Sequence, residues 1–125
     1  MALALATHHV SLSVRDLDRS IGFWSGVVGL ETIPRPDMGV QGVWLGVGDT
    51  QLHLIVYDES RGDVGAQPGS INAAAPHVAF AVDDYARTVA HLRDAGLDVV
   101  EAGPRRGQCW VQDPDGYVVE FIVAR

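Results

Sequence analysis

Apolar and polar residues alternate over residues 8–14, with Val10, Leu12 and Val14 on one side and His9, Ser11 and Ser13 on the other. That is the period of a half-buried strand. Asp16 is placed to cap a helix on which Ile21, Trp24, Val27 and Val28 recur at helical spacing, and Gly29 supplies a left-handed stop. Short strands are then predicted over residues 31–34, 42–47 and 51–56, with turn signals at Pro36-Asp37 and Gly48-Asp49 between them. The same order returns in the second half. A strand is predicted over residues 77–82, followed by a helix capped by Asp84 that carries Val89, Leu92 and Arg93 and stops at Gly96. Strands over residues 99–101, 109–112 and 117–123 complete it, with Asp113-Pro-Asp-Gly116 as the last turn. The pattern predicts an α+β fold of two β-α-β-β-β modules, residues 8–56 and 77–123, within one domain spanning residues 1–125. Residues 57–76, rich in Gly, Ala, Ser and Asp and without periodicity, read as a connector long enough to cover a binding site.

The two halves share more than their order of elements. His9-Val-Ser-Leu-Ser-Val-Arg-Asp16 returns as His77-Val-Ala-Phe-Ala-Val-Asp-Asp84, and each half ends on an aliphatic strand with one polar exception, His53 in the first and Glu120 in the second. His9, His53, His77 and Glu120 thus fall in register, two per repeat. Strand parity puts all four opposite the bulky apolar face, and on the opening strands beside small residues: Ser11 and Ser13 in one, Ala79 and Ala81 in the other. Small neighbours leave room for an ion and a ligand. A single histidine or glutamate on a strand is ordinarily packed or solvated. Four in register, on the small-residue face, point instead to one metal site built from two copies of a motif.

Composition narrows the function. At 125 residues the chain is long enough to bury a sizeable core without staples, and its one cysteine, Cys109, permits no internal disulfide, which makes a reducing cytoplasm the expected compartment. The mildly apolar start at Met1–Ala6 lacks the basic leader and apolar length of a signal peptide, and no stretch suits a membrane span. A net charge of −7 argues against nucleic acid or anionic membrane as partners, leaving small molecules. The absence of lysine excludes Schiff-base chemistry on the enzyme.

The segments His9-Val-Ser-Leu-Ser-Val-Arg-Asp-Leu-Asp-Arg-Ser-Ile-Gly-Phe-Trp24 and Asp113-Pro-Asp-Gly-Tyr-Val-Val-Glu-Phe121 resemble the vicinal oxygen chelate superfamily. That superfamily includes glyoxalase I, extradiol dioxygenases, methylmalonyl-CoA epimerase, and fosfomycin and bleomycin resistance proteins. The resemblance implies paired modules whose mixed sheets curl round a divalent metal and substrate cavity, usually in a homodimer. It assigns His9, His53, His77 and Glu120 as the ligands, with His53 standing where glyoxalase I often has glutamate. The expected function is a metal-dependent lyase or isomerase of the glyoxalase type, acting on a small carbonyl compound or its thiol adduct. An extradiol dioxygenase and an antibiotic-sequestering protein without chemistry are the alternatives.

Three imidazoles and one carboxylate suit zinc, nickel, cobalt, iron or manganese better than calcium or magnesium. Glu120 is the expected proton acceptor, with a metal-bound hydroxide as the alternative base. Trp44 and Trp110 occupy similar places in the repeats and either line the pocket or belong to the core. Arg105 and Arg106, in a Gly-flanked loop, are candidates for an anionic substrate group or are simply solvated. His8 has the wrong parity for the site, and His91 lies among polar residues of the second helix. Cys109 has no base beside it in sequence, and a nucleophilic role is not expected.

Overall fold

The computed structural model of the protein describes residues 1–124, which divide into two compact units, one from Met1 to Val64 and one from Gly65 onward. The division falls inside the predicted connector. In the first unit, β1 (His9–Val14) leads through α1 (Leu17–Ile21) to β2 (Glu31–Ile33), β3 (Gly42–Val47) and β4 (Thr50–Val56). These strands form one sheet in the order β1-β4-β3-β2, parallel between β1 and β4 and antiparallel elsewhere. The second unit repeats this with β5 (His77–Val82), α2 (Tyr85–Asp94), β6 (Val100–Gly103), β7 (Gln108–Gln112) and β8 (Val118–Val123), in the order β5-β8-β7-β6. The predicted β-α-β-β-β order therefore holds in both halves, as two four-stranded mixed sheets.

Each helix begins on the aspartate that the sequence offers. Asp16 accepts a hydrogen bond from the Arg19 amide, and Asp84 accepts one from Arg87. α1 packs on β4 and α2 on β8. The buried faces are the bulky ones that parity predicts: Val14, Leu52 and Leu54 in the first unit, and Val89, Leu92, Val119 and Phe121 in the second. Leu45 on β3 and Val111 on β7 occupy the same layers.

One helix departs from expectation. After Ile21 the chain widens into a π-helix over Gly22–Val27, closed by a hydrogen bond from the Val28 amide to the Phe23 carbonyl at 2.9 Å. The wider winding accompanies burial of the adjacent Phe23 and Trp24, which meet edge to face at 4.9 Å. The connector, too, carries structure. Asp58 caps a 3-10 turn over Glu59–Arg61, and the Gln112 side chain donates to the Pro68 carbonyl at 2.9 Å, fastening the later part of the connector to the second unit.

Candidate metal and substrate site

In the first unit the β1–β4 register sets Ser11 opposite His53, so His9 sits one diagonal step away on the same face. The two imidazoles stack, with centroids 4.0 Å apart and planes 15° from parallel. On the other side of β4, Trp44 is the direct cross-strand partner of His53, and its ring lies 4.3 Å away at 7°. Trp44 therefore borders the same cavity as both histidines. His9, Ser11, Ser13, Trp44, His53 and Ile55 all border one cavity of about 540 Å³, on the small-residue face.

The second unit reproduces this placement with different chemistry. Ala79 is opposite Glu120, His77 is one diagonal step away, and Trp110 is the direct partner of Glu120 on β7. His77 Nε2 stands 3.1 Å from Glu120 Oε1. Here the tryptophan does not stack. Its indole Nε1–H donates to Glu120 Oε1 at 2.8 Å, and the Gln108 amide donates to Oε2 at 3.4 Å. Glu120 is 7 % exposed, so these donors hold a largely buried carboxylate.

The hydrogen-bonding partners of both pairs suit a cation. His77 Nδ1 lies 2.6 Å from the Ala75 carbonyl, which accepts its proton and leaves Nε2 of the neutral ring with a lone pair facing the carboxylate. Two acceptors at that distance are reconciled by a shared cation, either a proton or a metal ion. Ligands about 2.1 Å from a tetrahedral ion stand roughly 3.4 Å from each other, a few tenths of an ångström beyond the 3.1 Å seen here. His53 is also suited. Burial first, then the charges of His9, His8 and Arg35, lower its pKa and keep the imidazole neutral, the form that coordinates metals. The Gln51 side-chain oxygen Oε1 accepts from His53 Nε2 at 2.8 Å, which leaves the lone pair on Nδ1. The four expected ligands thus stand as two pairs. Among the described residues, no group of three or more His, Cys, Asp or Glu side chains is arranged to hold a metal ion.

The remaining candidates separate clearly. Arg105 and Arg106 border another cavity of about 500 Å³ in the second unit, which they share with Gln108 and Ile122. His91 is exposed on α2. Cys109 is fully buried, and desolvation together with Glu101 and Glu120 pushes its thiol up to about 11, which makes it a packing residue. His8 is the correction. It lies before the first residue of β1, where strand parity no longer governs its side chain, and its Nδ1 meets His9 Nδ1 at 2.7 Å on the border of the same cavity. Gln51 and Gln108 were not singled out by the sequence: the role of Gln108 follows from cross-strand register, whereas Gln51 lies two residues before His53 on β4, a spacing that strand parity could have flagged.

Residues 6–121 match the model of the Glyoxalase/Bleomycin resistance protein/Dioxygenase superfamily. The chain belongs to this superfamily. It is 36% identical over 122 residues to a lactoylglutathione lyase of Haemophilus influenzae, covering 91% of this chain and 89% of that one. The solved trypanothione-dependent glyoxalase I of Leishmania major superposes with a TM-score of 0.75 at 27% identity, over 96% of this chain and 87% of that chain. A glyoxalase family protein of Bacillus anthracis gives a TM-score of 0.80 at 21% identity over 100% and 99% of the two chains, a likeness of fold. Two glyoxalase-type modules therefore account for the repeat seen in the sequence. Among the described residues no helix is long and apolar enough to cross a membrane.

Proposed function

We propose that this single-domain superfamily member is a divalent-metal-dependent lyase or isomerase of the glyoxalase type, acting in the cytoplasm as a homodimer on a small carbonyl compound or its thiol adduct. His9, His53, His77 and Glu120 supply the metal ligands in this reading, and Glu120 carries the proton. The observation that carries it is the repeated diagonal: His9 with His53 and His77 with Glu120 occupy equivalent steps of equivalent parallel strand pairs. The lactoylglutathione lyase relative supports the reaction class.

A bound divalent ion would supply Lewis acidity to the substrate's carbonyl oxygen. The chain's own residues do the rest. Trp110 and Gln108 aim the Glu120 carboxylate and leave it lone pairs with which to take a proton from the carbon beside the carbonyl. The apolar surfaces of Trp44 and Ile55 limit water around the reacting carbon.

Glu120→Gln tests the proposal. The amide keeps an oxygen donor but loses the base, so turnover should fall by about two to four orders of magnitude while metal content falls far less. Methylglyoxal with a panel of thiols serves as the first substrate set, and exchange of the proton beside the carbonyl is followed by NMR. Exchange at the wild-type rate in Glu120→Gln would move the base elsewhere. Tight binding of an aromatic antibiotic by a wild type that exchanges no proton would favour sequestration instead.

A further inference from the structure

We propose that Arg35 is the anion receptor of the first unit's cavity, and that the substrate is a carbonyl compound carrying its own carboxylate on an apolar body. The carbonyl half of this inference rests on the proposed lyase or isomerase reading; the carboxylate half rests on Arg35. Arg35 follows β2, is half-buried, and borders the same cavity as His9, Trp44 and His53. Its Nη2 donates to the Val40 carbonyl at 2.9 Å, while its Nε is buried and has no hydrogen-bond partner.

The guanidinium is seated by a missing side chain. A Cβ on Gly42 would stand 3.0 Å from Arg35 Nη2 and 3.1 Å from its Cζ, and would collide with the Leu54 carbonyl. Glycine at the start of β3 therefore lets the guanidinium lie against the sheet. No carboxylate among the described residues lies within ion-pair distance of it. Asp58, the acid on this cavity, accepts the amide and hydroxyl of Ser60 on Oδ1, at 3.0 and 2.7 Å, and forms no ion pair with Arg35. A half-buried guanidinium without a counter-ion is costly, and a carboxylate satisfies it through two parallel hydrogen bonds.

Which side the anion enters is decided by charge. Arg35 also borders a second cavity, but Asp16, Asp18 and Asp37 edge it and would repel an anion. The histidine-side cavity instead offers Met38, Val40, Trp44, Ile55 and Val64 as apolar wall. At about 540 Å³ it matches the size of small-molecule pockets and exceeds what a three-carbon carbonyl compound would fill.

Phenylglyoxylate and its methyl ester form the test pair, since they share a body and differ in the charge. Calorimetric titration of the metal-supplemented full chain should show the acid binding about 10- to 100-fold more tightly than the ester. Arg35→Gln should abolish that preference with metal content unchanged, and Arg61→Gln, at the other arginine bordering this cavity, should retain it; loss of the preference in Arg61→Gln with its retention in Arg35→Gln would move the receptor to Arg61 and overturn the proposal. In the wild type, the Arg35 Nε–H resonance should shift with the acid and not with the ester, a readout that does not require the variant to fold. Equal binding of acid and ester, or a preference that survives Arg35→Gln, overturns the receptor and leaves the metal reading standing. A wild type that takes up no metal yet keeps an Arg35-dependent preference overturns the metal reading and leaves the receptor.

Discussion

A carboxylate in the interior of a sheet needs donors, and Glu120 has one on each oxygen. The indole donor from Trp110 makes this residue a positioning group for Glu120. Trp110→Phe should keep the apolar packing and remove the N–H, lowering metal affinity by about 10- to 100-fold as loss of an orienting partner does. Competitive chelator titration reads this directly, and an affinity equal to wild type would mean that Trp110 only fills space. At this scale the sequence was legible for side chains whose direction strand parity fixes: His9, His53, His77 and Glu120. It was not legible for Gln108 or Arg35, because a cross-strand partner depends on register and a seated guanidinium depends on the glycine beside it; Gln51, two residues before His53 on the same face of β4, was open to the parity argument and was passed over. His8 was misread because parity was extended one residue past the strand.

At the scale of elements, alternation and caps located nearly every strand and both helices. Their signals are local: a period of two, a period near four, an aspartate before a turn of helix. The widening of the first helix into a π-helix was not legible, since the choice between windings depends on how Phe23 and Trp24 pack. α2 offers the cleaner test of capping. Asp84→Ala removes the acceptor for the Arg87 amide, held at 2.9 Å, and should destabilise the protein by about 1 kcal/mol. Denaturant melts measure it, with Asp83→Ala as the neighbouring control. Equal losses in the two variants would assign the effect to charge. α2 is tied further by Tyr85, whose hydroxyl donates to Glu101 at 2.6 Å, and by Arg93, which pairs with the same carboxylate at 2.7 Å. Desolvation and the Glu101 contact raise the Tyr85 pKa to about 12, so that the phenol stays a donor through neutral pH.

At the scale of the molecule, duplication sets where the candidate residues fall within each unit. Two units with the same strand order place a pair of polar residues at the same diagonal and a tryptophan at the same cross-strand step. The chemistry then diverges between the copies: one pair is two imidazoles under a stacked indole, the other an imidazole and a carboxylate under an indole donor. That repetition was visible in the sequence, and the match of residues 6–121 to the glyoxalase superfamily agrees with it. In the proposed function these pairs bind a divalent ion. Metal analysis of the purified chain, supplied in turn with zinc, nickel, cobalt, iron and manganese, beside His77→Ala and His91→Ala, is the decisive measurement. The wild type and His91→Ala should each retain roughly one ion per chain, and His77→Ala should lose most of it. Equal metal content in the two variants, or none in the wild type with any of the five ions, would contradict the claim.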